Sequence, residues 1–198
     1  MFSQIARRLD GLRARYAEPH RAYHGQRHID TLLAAPLWDF DAPAMVELAI
    51  WYHDAIYQIP AEGGAGGNER ASAGLLRSDL AGLADNGLIE DAAALILATA
   101  RHAVPSDLPE RLTADCARFL DLDLSILGAA AADYDQYAAG IAAEYVPAIG
   151  EDAYRTGRLA FLRGALGRRL FLTDAAEARF GAAAAANLAR EAQTLGGP

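Results

Sequence analysis

APAMVELAIWYHDAIY, residues 42–57, is the stretch on which the fold class turns. It is apolar almost throughout, it puts Pro43 in a first helical turn, and it never alternates with period two. It reads as a helix meant for burial. Yet His53 and Asp54 stand side by side inside it. An unpaired buried charge costs several kcal/mol, and a neutral polar group without a partner about 1–3 kcal/mol. Something has to satisfy both groups.

The rest of the chain is patterned in the same way. Ala dominates, Val is scarce and β-branched residues never cluster, which favours helices throughout. The spacing predicts helices over about 3–17, 25–34, 42–57, 69–80, 89–103, 108–127, 132–145, 154–172 and 174–195. Ile5, Leu9, Leu12 and Tyr16 share one face of the first, which Pro19 ends; the second stops before Pro36. Between the third and fourth, PAEGGAGGNE (60–69) crowds four glycines into residues 63–67 and reads as a mobile loop. No repeat of fixed period and no long linker divides the chain. The expectation is a single all-α domain over residues 1–198.

Composition narrows the function classes. The 198 residues are 53 % apolar and 22 % charged, as in a globular protein with a sizeable core. The formal net charge is -8, with 18 Arg and no Lys, so the chain lacks the concentrated basic surface that grips a nucleic-acid polymer. Cys116 is the only cysteine, which excludes an intramolecular disulfide and a cysteine-based zinc site. The N-terminal MFSQIARRLDGLRARY lacks the apolar core of a secretory signal. The longest apolar run, AAALILATA (92–100), falls far short of the roughly 18 residues of a membrane span. A cytoplasmic protein that engages neither membrane nor nucleic acid is expected.

Four places put His or Asp where core is expected. HRAYHGQRH carries His20, His24 and His28 at four-residue spacing, so His24 and His28 would share a helical face. His53 and Asp54, as helix neighbours, diverge by about 100° and meet one ion only off the helix shoulder. His102 shares a stripe with Asp91, Leu95 and Ala98, near a helix C-terminus whose dipole also favours an imidazolium. In FLDLDLSILG (119–128), Asp121 and Asp123 face opposite ways; one reads as a capping or solvent-facing residue, the other as a carboxylate sent into the core. Imidazoles and carboxylates without a soft sulfur suit Mn, Fe, Co, Ni or Zn, and Mg where carboxylates and water dominate.

His28, His53-Asp54 and Asp123, in that order on successive helices, resemble the HD superfamily of metal-dependent phosphohydrolases. More narrowly, PHRAYHGQRHI, ELAIWYHDAIY, NERAS and LDLSILG resemble a bacterial subgroup of predicted HD phosphohydrolases, over at least residues 16–128. The resemblance implies an HD-type helical bundle, with the metal-site core at about 16–128 and C-terminal helices at about 132–195 packing on it. It implies His28, His53, Asp54 and Asp123 as metal ligands, for one or two divalent ions per chain. YHGQRH also resembles the YHNxxH of cyclic-nucleotide phosphodiesterases, which makes His24 the proton donor, with Gly25 in the place of Asn. Glu69, in the NE after the HD helix, would bind a second ion or position the attacking water; a carboxylate there also suits a helix N-terminus.

The expected activity is hydrolysis of a phosphate ester or anhydride on a small molecule, with a nucleotide as the favoured substrate. Asp54 would span two ions or accept a proton, His24 would protonate the leaving oxygen, and Arg21, Arg27 and His102 would contact substrate. No Gly-rich phosphate loop names the substrate. Two alternatives stand beside it: a di-iron oxygenase on the same scaffold, and a non-catalytic metal-binding or ligand-sensing protein. Arg155, Arg158, Arg163, Arg168 and Arg169 would either face the site or form a solvated face, and the abundance of Arg in the chain favours the solvated face. Glu47, one to two turns back from His53 and Asp54, would support the ligands from behind.

Overall fold

Helices begin in this chain where a proline or a short polar side chain can start them. Pro43 opens one; Asp85 caps a second by accepting from Leu88 N at 3.1 Å, and Thr173 a third by accepting from Ala176 N at 3.2 Å. The computed structural model describes residues 2–35 and 39–197, and every regular element among them is helical. In order these are α1 (Phe2–Tyr16), α2 (Gln26–Leu33), α3 (Pro43–Tyr52), α4 (Gly67–Leu80), α5 (Asn86–Thr99) and α6 (Glu110–Leu124). After a 3-10 turn at Ser125–Gly128 come α7 (Ala131–Ile149), α8 (Glu151–Ala165) and α9 (Asp174–Gly196). The expected all-α class is what the chain adopts. No described helix is long and apolar enough to cross a membrane.

The chain separates into two compact units, Met1–Phe119 and Leu120–Pro198, with the boundary inside α6. In the first, α3 is the central helix: Met45, Val46, Ala49, Ile50, Trp51 and Tyr52 are all buried, and α2, α4 and α5 pack against it. From Met45 to Tyr52 only Glu47 is exposed, which fits a stretch that is apolar almost throughout. Leu12 and Tyr16 are the buried positions expected on α1; the side chains of Ile5 and Leu9, and Pro36, lie outside the described residues. Asp115 on α6 is buried and accepts from Asp41 N at 2.9 Å and Ala42 N at 2.8 Å, so it supplies the cap that α3 lacks from its own sequence.

In the second unit α9 packs on α8 and on the 3-10 turn, and α7 on α8. A Cβ on Gly128 would meet Phe180 O at 2.7 Å, so only glycine lets the turn lie this close to α9. Asn187 closes the contact by donating to Leu127 O and Ala129 O, each at 3.0 Å.

Several helix ends depart from the sequence reading: the sixth helix gives way to the 3-10 turn after Leu124, the seventh runs on to Ile149, and three others stop short. The third helix stops at Tyr52, well short of Tyr57, because other groups take the backbone beyond it. Arg21 donates to Asp54 O and Ala55 O, Ser72 Oγ accepts from Ile56 N, and Asn68 Oδ1 accepts from Gln58 N. The fifth ends at Thr99, whose hydroxyl donates to Ile96 O at 2.7 Å, so His102 falls on the following turn. The eighth ends at Ala165, short of Gly167 in the left-handed region at φ 81°. Of the loop expected at 60–69, residues 60–66 are a loop and 67–69 already form the first turn of α4; Arg70 ties the loop by donating to Gly63 O at 3.0 Å and Ala65 O at 3.2 Å.

Candidate metal centre

Where α3 ends decides the geometry of the pair that opened the sequence reading. His53 is the C-cap of α3 and Asp54 lies on the turn beyond it, so the 100° divergence of helix neighbours no longer applies. Their side chains converge: His53 Nε2 lies 3.0 Å from Asp54 Oδ2. The other ring nitrogen, Nδ1, sits 2.9 Å from Ile50 O. Only an N–H can face a carbonyl at that distance, so Nδ1 donates, and Nε2 is the nitrogen that faces Asp54 and His28, with a lone pair there whenever the ring is neutral.

His28 arrives from α2, whose inner face buries His28, Ile29 and Leu32 together. Its Nε2 lies 3.2 Å from His53 Nε2 and 3.8 Å from Asp54 Oδ2. Gly25, the N-cap of α2, lets this helix start close to α1: a Cβ there would sit 3.0 Å from Tyr16 O. An asparagine in its place would have to push the end of α1 away.

Three ligand-type atoms thus crowd within 3.0–3.8 Å of one another. With bonds of about 2.1 Å, neighbouring ligands of one cation stand about 3.0 Å apart in an octahedron and about 3.4 Å in a tetrahedron. Two imidazole nitrogens and a carboxylate oxygen are a donor set that fits a divalent ion of the borderline class; the 3.0 and 3.2 Å spacings match those values, and the 3.8 Å from His28 to Asp54 is wider. Burial pushes the Asp54 carboxyl up, but His53 beside it, with His24 and His28 further off, outweighs that and holds it well below the usual carboxylate range. The carboxylate is therefore present in its ligating form.

His24 lies just before α2, not on it, and is half-buried. Its ring stacks on Tyr57 at 4.2 Å between centroids, with an interplanar angle of 24°, and stands 6.1 Å from the ring of His28. His24, His28, His53 and Asp54 are the expected residues that come together in the first unit.

Arg21 belongs to the same cluster but in another capacity than the substrate contact expected of it. Its guanidinium is buried, and its N–H groups are spent on Glu18 at 3.0 Å, His24 O at 3.0 Å, Asp54 O at 2.6 Å and Ala55 O at 3.1 Å. Tyr16 and Tyr57 cover its faces. Arg21 is a clamp that holds the His24 and Asp54 backbones together, with no face left for a phosphate.

Arg27, in the first turn of α2, is exposed, as is His102, which has a left-handed backbone at φ 45°. Glu47 is exposed on α3 and does not stand behind the ligands, which corrects its expected supporting role. Glu69 is half-buried in the first turn of α4, and its neighbour Asn68 is committed to Gln58 N and O, each at 3.1 Å.

In the second unit the two α6 aspartates have separated roles. Asp121 is buried and accepts from Leu172 N at 2.6 Å, Thr173 N at 2.8 Å and Thr173 Oγ1 at 2.7 Å, which makes it the capping residue of the pair. Asp123 is half-buried in the last turn of α6.

Sequence reasoning missed the Ile50 carbonyl that sets the His53 tautomer and the Tyr57 ring under His24; neither leaves a periodic signal. It also misread Arg158 as solvated. Arg158 is buried, with Nε 2.8 Å from Glu191 Oε1 and the second terminal nitrogen 2.9 Å from Oε2. Compared with models of known protein families, with curated proteins and with solved structures, the chain matches none.

Proposed function

We propose that this protein is a metal-dependent phosphohydrolase of the HD type, acting on a phosphate ester or anhydride of a small molecule, with a nucleotide as the favoured substrate. The observation that carries the reading is the convergence of His28 Nε2, His53 Nε2 and Asp54 Oδ2, with the His53 lone pair turned to that point by Ile50 O. Asp123 completes the proposed ligand set. Its support is the motif it belongs to, LDLSILG (122–128), which resembles the family's last ligand element.

A divalent ion held by these residues supplies Lewis acidity at the scissile phosphate and an activated water at neutral pH. The chain's own residues do the rest. His24 donates a proton to the leaving oxygen, a contribution of about 10²–10⁴ in rate, and the Tyr57 stack fixes the plane of its ring. Arg21 locks the His24 and Asp54 backbones, so the donor and the ligand keep one relative position. Arg27 is exposed one residue before His28 and is the arginine with a guanidinium to spare for a phosphate oxygen. Glu69, a half-buried carboxylate at a helix start, is the proposed support for a second ion or for the attacking water.

The test is phosphate release from a panel of nucleotides with Mn, Co, Ni and Mg, alongside metal analysis of the purified protein. Wild type should release phosphate with at least one metal, and His53→Ala should lose both bound metal and activity. If wild type and His53→Ala behave alike on every substrate and metal, the reading fails.

A further inference from the structure

Residues of α1, the turn after it and α4 line a groove of about 470 Å³, the size that encloses one small organic ligand. Arg8, Gly11, Leu12, Arg15, Glu18 and Asp79 are among its walls. Arg8 precedes Gly11 by three residues and Arg15 follows it by four, so all three share one face of α1. The two arginines are about 10 Å apart along the axis, and their long side chains can close over the glycine between them.

Gly11 has no structural reason to be glycine. A Cβ built on it touches nothing within 4 Å, and its backbone is ordinary helix. Glycine is the least favourable residue in a helix interior apart from proline, so its presence there is a cost without a packing return. What it provides is a bare stretch of groove floor between two guanidinium groups.

The charges around that floor are unevenly matched. Arg15 is half-buried and has no side-chain hydrogen bond or ion pair among the described residues. Its place in the last turn of α1 favours a cation but supplies no counter-ion. Arg8 makes only a 3.5 Å contact with Asp79 and its side chain is 47 % exposed, a pair that solvent weakens. Glu18 is bound at 3.0 Å to the buried Arg21, and Asp79 accepts from Tyr52 Oη at 3.3 Å. The walls thus carry two guanidinium groups, Arg8 and Arg15, and two carboxylates, Glu18 and Asp79, each of which already has a partner outside the groove.

We propose that this groove is a second binding site, separate from the His/Asp cluster, for the phosphoryl group of a small phosphorylated molecule of mononucleotide size. Arg8 and Arg15 hold the phosphoryl oxygens over Gly11, in the fork geometry by which guanidinium groups take phosphate. Leu75, half-buried on α4, offers the apolar remainder of the ligand its contact.

The experiment is calorimetric titration of the full chain in EDTA with adenosine monophosphate, adenosine and inorganic phosphate as probes. Four proteins are compared: wild type, Gly11→Leu, Arg15→Ala and His53→Ala. Adenosine monophosphate should bind wild type and His53→Ala with equal affinity, and at least tenfold more tightly than adenosine or phosphate. Gly11→Leu, which fills the floor, and Arg15→Ala should each lose at least tenfold in affinity. Circular dichroism and thermal melting without ligand should show Gly11→Leu as helical and as stable as wild type, since leucine suits a helix better than glycine.

Absence of binding to wild type overturns the proposal, as does equal binding of adenosine, or full binding by both groove variants. Loss of binding in His53→Ala with retention in Gly11→Leu also overturns it, since the ligand would then occupy the His/Asp cluster. Phosphate release by wild type and His53→Ala is measured separately, so failure of the hydrolase reading leaves the groove result standing.

Discussion

The two units each bury a cluster of ionisable groups, and the clusters are built on opposite chemistry. In the first, His28, His53 and Asp54 aim two ring nitrogens and a carboxylate oxygen at one another across 3.0–3.8 Å. Every one of those atoms can offer a lone pair to a cation. In the second, Glu191 takes both arms of Arg158, at 2.8 and 2.9 Å, together with the Tyr134 hydroxyl, and Arg158 also donates to Tyr137 Oη at 3.2 Å. That cluster carries its own cation and its donors match its acceptors. The first is stable only with protons or a cation among its atoms.

Burial of charge is therefore a poor marker of a site when taken alone. Arg158 and Glu191 are about as enclosed as the imidazoles, with side chains 7 % and 10 % exposed, yet nothing is left over for a ligand. What separates the two is the direction of the lone pairs. His53 has its Nδ1–H tied to Ile50 O, which commits the opposite nitrogen to acceptance.

The strongest way to break the comparison is to take the cation out of the closed cluster. Arg158→Met leaves Glu191 buried against two tyrosines and should cost about 3–5 kcal/mol of stability, read from urea denaturation at pH 7. Adding Glu191→Leu should restore most of that loss, because the orphaned carboxylate goes with it. A single variant within 1 kcal/mol of wild type, or a double variant no better than the single, would show that the pair is not the self-contained unit described here.

The sequence carried the helical class because Ala-rich, strand-poor composition leaves little choice; it carried His53 and Asp54 because they interrupt an apolar run, and His28 because of the four-residue His spacing in HRAYHGQRH. It did not carry where α3 ends. That end is set by Arg21, Asn68 and Ser72 reaching the backbone from far along the chain, and no local pattern in residues 42–57 encodes them. Arg21 was misread for the same reason, since its partners are carbonyl oxygens, which every residue has. Arg158 was hidden by the abundance of Arg in the chain, and Glu47 looked useful only while the helix was taken to run on through the pair.

Asp121 and Asp123 sharpen the contrast within two residues of one helix. Asp121 gives both oxygens to Leu172 N, Thr173 N and Thr173 Oγ1. Asp121→Asn puts an N–H where an acceptor is needed and should cost about 2 kcal/mol, with metal binding intact. Asp123→Asn should change stability in EDTA by less than about 0.5 kcal/mol and weaken Mn affinity by at least tenfold, read by calorimetry. If the two substitutions have the same profile, the division between a capping and a ligating aspartate is lost.

Alkaline pH separates the units by a smaller effect. Burial is the first cause raising the hydroxyl pKa of Tyr16 and Tyr52 in the first unit and of Tyr134 and Tyr137 in the second; at Tyr134 the Glu191 carboxylate adds to it. As pH passes about 10, the unfolded chain releases these protons while the fold keeps them. The unfolded state then binds fewer protons, so stability is complete below about pH 10 and falls above it, by up to about 1.4 kcal/mol per pH unit for each such tyrosine. Urea midpoints at pH 9, 10 and 11 measure the slope. Tyr134→Phe should make it shallower by one tyrosine's share, and His53→Ala, which removes no tyrosine hydroxyl, should leave it unchanged. An unaltered slope in Tyr134→Phe would mean that Glu191 and its surroundings do not hold that hydroxyl neutral, and the second cluster would then be less closed than its hydrogen bonds imply.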